Sequence, residues 1–150
     1  MSGELTQLET WAAPMLAALS ASERRKLARN IGTELRRSQR QRIAAQQNPD
    51  GSAYAPRKRQ QKGSIRRRAA AMFGKIRQAR FMKVKADPSG VAVGFTGHVA
   101  RIARVHQYGL RDAPRKGGQR VRYEQRELLG FADADIDRIR DLLLDHLAGA

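Results

Sequence analysis

The chain of 150 residues is one domain's worth, and its 41% hydrophobic content, drawn largely from alanine with only 5% aromatics, gives a thin core that neighbouring subunits would help to stabilise. It has no cysteine, which excludes a disulfide framework, a thiolate metal site and a cysteine nucleophile together. A formal net charge of +16, from 30 Lys+Arg against 14 Asp+Glu, points to acidic partners rather than to a membrane interior.

Leu5, Leu8, Ala12, Met15 and Leu19 recur at steps of three and four, the spacing of one helix face. Pro14 falls inside that pattern and predicts either a kink or two short pieces. No long apolar run preceded by positive charge occurs between Met1 and Leu19, so neither a signal peptide nor a membrane span is expected there. Ser20 and Ser22 offer N-caps to a second helix. In it Leu27, Ile31 and Leu35 share one side, continuing through Ser38, and Arg25, Arg29, Arg36 and Arg40 share the other.

Asn48-Pro49-Asp50-Gly51 is expected to end this helix, because proline disfavours a helical predecessor and Asp-Gly suits a tight turn. Tyr54 and Pro56 lead into a basic run, Arg57, Lys58, Arg59, Lys62, Arg66, Arg67 and Arg68, read as an exposed loop with a short helix from Ser64 to Gln78. Met82, Val84 and Ala86 alternate with Lys83 and Lys85, and Val91, Val93 and Phe95 alternate after Asp87-Pro88-Ser89-Gly90. That predicts an antiparallel hairpin about a type I turn. Thr96 is a candidate cap for a helix through His98 to Tyr108, with Val99, Ile102 and His106 on one face and Gly109 as its left-handed stop. Leu110 to Gln119 reads as a mobile loop, Val121 and Tyr123 as a third strand. Asp133 is the expected cap of a last helix with Ile136, Ile139, Leu143 and Leu147 buried. The whole is a single α+β domain: N-terminal helices, a small antiparallel sheet with an inserted helix, and a C-terminal helix.

The charge is unevenly spread. Between Arg36 and Arg122 only Asp50, Asp87 and Asp112 are acidic, whereas half of all the acids follow Arg122. Asp133, Asp137, Asp141 and Asp145 recur every four residues as an acidic stripe, read either as a solvated face or as a surface that docks on a neighbouring copy's basic residues. The basic segments also suit non-specific DNA binding, although only Tyr54 and Phe73 lie near the densest positive run to stack on bases. His98, His106 and His146 stand at no metal-ligand spacing, and His106 reads as a hydrogen-bonded core or interface histidine. No serine sits in a nucleophile elbow, and Gly94-Phe95-Thr96-Gly97 lacks the Gly-Lys-Ser/Thr ending of a phosphate loop. No catalytic, cofactor or metal site is expected.

Two long segments carry a resemblance. Arg42 to Lys58, containing Asn48-Pro49-Asp50-Gly51 and Ala55-Pro56-Arg57, precedes Gly94 to Asp112, containing Val105-His106-Gln107-Tyr108-Gly109, and Leu129-Gly130-Phe131 closes the series. In this order the chain resembles the tail completion protein S family of contractile-tailed phages, related to the virion morphogenesis proteins of Mu-like phages. It departs from that family at Tyr123-Glu124-Gln125-Arg126-Glu127, where an aromatic and proline-rich approach is common. The resemblance implies a non-enzymatic virion component at the head-proximal neck, an oligomeric ring needing no cofactor, and action in tail termination and head–tail joining. Its implied partners are the tail terminator, tube or sheath and head-completion proteins, met in the host cytoplasm. Pro49, Asp50, Gly51, Pro56, His106, Tyr108, Gly109 and Gly130 are its motif positions. A small basic DNA-binding protein is the alternative.

Overall fold

The computed structural model describes residues 2–57 and 71–148. Within them the elements run α1 (Ser2–Ala17), α2 (Ala21–Ala44), β1 (Met82–Asp87), β2 (Gly90–Phe95), α3 (Val99–Tyr108), β3 (Arg111–Asp112), β4 (Val121–Arg122) and α4 (Asp133–Ala148). This is the α+β arrangement that the sequence predicts.

Helix α1 is assigned as one helix through Pro14, whose ring lies on the exposed side in the final turn. Ser20 then caps α2, its hydroxyl accepting from the Glu23 amide at 3.2 Å. The 24-residue α2 is the centre of the fold and is buried on two sides rather than one. Leu27 and Ile31 pack with Leu8 and Ala12 of α1 and with Ile136, Ile139 and Leu143 of α4. On the other side Gly32 lies directly against Val84 and Val91 of the β1–β2 hairpin, and Ile43 is fully enclosed with Met82, Val99 and Leu128. Glycine within a helix costs about 1 kcal/mol relative to alanine, so its presence here marks a close approach. The basic row of α2 is thereby confined to the strip beside β1.

The helix does not end at the Asn-Pro-Asp-Gly turn. Gln46 does it two residues earlier by taking a left-handed conformation (φ 59°), and the turn follows as a separate unit. The Gln46 side chain then occupies both backbone groups of Met72, accepting from its amide at 2.8 Å and donating to its carbonyl at 2.9 Å. With those groups taken and Phe73 at φ 67°, residues 71–78 form turns, not the second half of a helix from Ser64. Residues 64–70 of that expected helix lie outside the described residues.

The hairpin has the expected register, Met82 opposite Phe95 through Asp87 opposite Gly90. Asp87 Oδ1 accepts from the Ser89 amide and hydroxyl and the Gly90 amide, which fixes the two-residue turn. Thr96 does not cap α3: its amide donates to the Phe81 carbonyl at 2.9 Å and extends the hairpin. Val99 and Ala103 form the buried face of α3, and Ile102 is 44% exposed. Gly109 (φ 63°, ψ 50°) stops α3 as the sequence predicts. That left-handed turn sends Leu110–Asp112 back alongside Val121–Tyr123. The third strand accordingly pairs with Arg111–Asp112 in a ribbon of its own, not with the hairpin.

Helix α4 starts at Asp133, but Asp135 performs the cap. Its carboxylate accepts from the Ala132 amide at 2.9 Å and from the Ser38 hydroxyl of α2, and the residue is almost fully buried.

Candidate functional site

The three motif segments of the sequence meet at residues 127–130. This stretch bends at Leu128 and Leu129 near the C-terminal end of α2 and belongs to no helix or strand, so its backbone needs other partners. Side chains supply all of them. Asn48 Oδ1 accepts from the Glu127 amide (2.9 Å), and the Tyr54 hydroxyl and Arg42 Nη1 both donate to the Glu127 carbonyl (2.9 Å each). Gln107 Oε1 accepts from the Leu128 and Leu129 amides (2.8 and 2.9 Å), while its Nε2 donates to the Leu129 carbonyl (2.8 Å). Arg42 Nη2 donates to the Leu128 carbonyl (2.8 Å). Gln39 completes the set, accepting from the Gly130 amide (3.2 Å) and donating to its carbonyl (2.9 Å).

Arg42 is the hub. It is buried, no carboxylate lies within ion-pair distance of it among the described residues, and carbonyl oxygens take its Nη1 and Nη2 donors. A planar five-donor guanidinium suits this task, because several acceptors converge on it from different directions.

A second layer lies beside the first. Arg126 donates from Nε to the Ala55 carbonyl (2.8 Å) and from Nη2 to the Pro56 carbonyl (3.1 Å), and its Nη1 faces His106 Nδ1 at 3.3 Å. The His106 ring contacts Phe73 and Tyr123 edge-on, with centroids 4.8 and 5.0 Å away. Burial, and after it the Arg126 and Arg57 charges, hold its pKa down to about 4. A neutral imidazole with Nδ1 turned to a guanidinium is a structural acceptor. It has no free lone pair poised as a base at that nitrogen.

Most of the sequence-designated motif positions fall in this junction. Pro49 is buried against Gly130, Gly51 takes φ 88°, and Asp50 Oδ1 accepts from the Ser52 amide at 2.8 Å. Hydrogen bonds from Ser52 hold the Asp50 carboxyl below the usual carboxylate range. Gly109 sits against Gln125 and the Tyr123 carbonyl. Tyr108 stays apart, 63% exposed. Gln39, Arg42, Gln107 and Arg126 were not among the designated residues. The available signal was the position of Arg42, seven residues after Leu35 and therefore on the continuation of the apolar stripe of α2.

The charged candidates lie elsewhere. Arg29 and Arg36 line a cleft of about 460 Å³ with Thr33, Val84, Lys85 and Ala86; Arg25 and Arg40 are exposed on the same helix. Asp133, Asp137, Asp141 and Asp145 are all exposed on α4, with Arg140 held to Asp137 at 3.3 Å. Arg57 is exposed, and Lys58, Arg59, Arg66, Arg67 and Arg68 lie outside the described residues. Among the described residues no group of three His, Asp or Glu is placed to hold a metal ion, and no helix is long and apolar enough to cross a membrane.

The sequence profile of the phage virion morphogenesis family matches residues 3–148. The chain belongs to that family. Tail completion protein S of Escherichia phage P2 is 37% identical over 149 residues, covering 96% of this chain and 97% of that protein. No solved structure matches. The resemblance read from the motif segments is thus borne out, and the family domain takes in every element from α1 to α4. In this virion morphogenesis protein most of the motif residues build a scaffold around residues 127–130, and Tyr108 stands exposed outside it.

Proposed function

We propose that this chain is a phage tail completion protein that acts without catalysis at the head-proximal end of the tail, in tail termination and head–tail joining. The observation that carries the reading is the 37% identity, over nearly the full length of both chains, to a protein named for tail completion. The motif junction supports it, because nearly all of its side-chain polar groups, Arg42 Nε excepted, hold backbone in place. In this reading the chain forms a ring about the tail axis and is a virion component assembled in the host cytoplasm. Its partners are other tail and neck proteins such as the terminator, the tube or sheath and the head-completion proteins.

The Arg111–Arg120 segment, which runs from β3 to the start of β4, is the part that this reading sets to order on assembly. Arg111 stands directly opposite Arg122, and like charges in that position weaken a pair of strands already only two residues long. Trypsin is expected to cut free protein at Arg115 or Lys116, and cutting there is expected to slow in assembled particles. Equal resistance in the free chain would remove the ordering step.

Electron microscopy of particles made without this gene tests the function itself. Tails of abnormal length, or filled heads beside unjoined tails, are expected. Normal joined particles would overturn the assembly role and favour the DNA-binding alternative, to which the net charge of +16 lends its support. A DNA binder should retain duplex affinity at physiological salt, whereas an assembly protein with a basic surface should lose most of it.

A further inference from the structure

We infer that the cleft between α2 and β1 receives the acidic face of α4 from a second copy of this chain. Arg29, Thr33 and Arg36 of the helix and Val84, Lys85 and Ala86 of the strand line the cleft. Among the described residues none of the three cations has an ion-pair partner. A concave surface lined by cations together with apolar side chains suits an anionic ligand that also carries an apolar group.

The chain presents such a ligand on its own surface. Along α4, Asp133, Asp141 and Asp145 are exposed and unpaired among the described residues, and Asp137 is engaged only by Arg140. Leu144 falls on the same flank, three residues after Asp141 and seven after Asp137, and is 45% exposed. It is a large apolar side chain set among carboxylates. The dimensions agree too. At a rise of about 1.5 Å per residue, Arg29 and Arg36 stand about 10 Å apart along α2, and carboxylates two turns apart on α4 stand about 12 Å apart. With Leu144 against Val84 and Ala86, the flanking aspartates reach the cations of the cleft.

The contact has to be intermolecular. The chain's own α4 packs on the Leu27–Ile31 side of α2, away from the hairpin. Donor face and acceptor cleft are different surfaces, so the contact can repeat head-to-tail, the arrangement that closes into a ring when the rotation per copy permits. Nucleic acid suits the cleft less well, since its lining contains no aromatic side chain on which a base could stack. The contact rests on the assembly reading only for its use in the particle. Self-association is measured on purified chain and tail completion on particle morphology, so either can fail without the other.

Sedimentation velocity of the full-length chain over rising concentration, at low and high salt, tests the contact. Self-association that weakens with salt is expected. R29E/R36E should weaken it at least about tenfold, and D137R/D141R likewise, because each sets like charges against one another. All four substitutions in one chain should restore it, which no loss of folding could mimic. K85E, on an exposed strand position, repeats the cleft test without touching α2. A chain that stays monomeric throughout, or a folded four-site variant that fails to recover, would overturn the inference. So would cleft reversals that leave self-association intact and abolish duplex DNA binding, an outcome that makes the cleft a nucleic-acid surface.

Discussion

Gly130 lies so close to Pro49 that a β-carbon placed on it would fall 2.5 Å from the proline Cγ. The Pro49 ring is part of a tight turn and cannot rotate away, so the two backbones would have to separate. Gln39 holds the Gly130 amide and carbonyl from the other side, and separation would stretch both bonds. Gly130→Ala is therefore expected to destabilise the fold by about 1–3 kcal/mol, read as a lower urea midpoint with an unchanged slope. An unaltered midpoint would mean that the turn yields freely.

Removing the hub should cost more. Arg42→Met keeps an unbranched apolar stem but lacks the guanidinium, and takes the donors from the Gln47 and Leu128 carbonyls and one of the two from the Glu127 carbonyl. Buried acceptors left without partners put the loss at about 3 kcal/mol or more. Arg42→Lys restores the charge but not the forked geometry, and is expected to recover only part of it. Tyr54→Phe calibrates the series: Glu127 keeps its Arg42 bond there, so the loss should be about 1 kcal/mol. Urea denaturation of the three variants gives the ranking, and equal losses for Met and Phe would remove Arg42 from its central role.

Much of this was legible in the sequence, for reasons particular to each element. Alternation marked the hairpin because Met82, Val84 and Ala86 share one face, and Gly109 marked the end of α3 because its left-handed conformation suits glycine. The junction was legible only as an order of motifs. Its bonds join residues from about 20 to 91 positions apart, as in Gln107 to Leu128 and Gln39 to Gly130, and no local pattern encodes them. Two local expectations failed for one reason. Thr96 and Asp133 are good capping residues by type, yet Thr96 was claimed by the hairpin, and Asp135 does the capping at α4. Propensity nominates a residue, and tertiary contacts decide which one is used.

Burial, with Arg126 and Arg57 nearby, lowers the His106 pKa to about 4, against about 6.5 in an exposed chain. Between those values the unfolded chain binds the proton and the folded one does not, so stability falls as pH drops from about 6.5 towards 4. The contribution is fully present above that window. His106→Gln should flatten this part of a plot of melting temperature against pH. The lowered carboxyls of Asp50, Asp87 and Asp112 would still act at more acid pH, since each is held below the ordinary carboxylate value. A His106 imidazole seen by NMR to titrate near 6.5 in the folded protein would contradict the buried, neutral state.

Gly32 offers the sharpest contest between a local and a tertiary effect. Alanine is the better helix former by about 1 kcal/mol, so helix propensity alone predicts that Gly32→Ala stabilises α2. Its β-carbon would, however, fall well inside van der Waals contact distance of Val84 Cγ1 and 2.6 Å from Val91 Cγ2. Both valines are held by the hairpin register, Val84 opposite Val93 and Val91 opposite Ala86, so relief requires the hairpin to shift as a unit. Overpacking of this kind costs about 1–3 kcal/mol and offsets the helix gain, leaving a net loss of about 1 kcal/mol. Val84→Ala alone should also destabilise, because it opens a void against α2. The two together should lose less than the sum of their separate losses, since the added methyl fills part of the space the removed ones vacate. Simple additivity in a urea-denaturation double-mutant cycle would show that the hairpin does not press on the helix at this point.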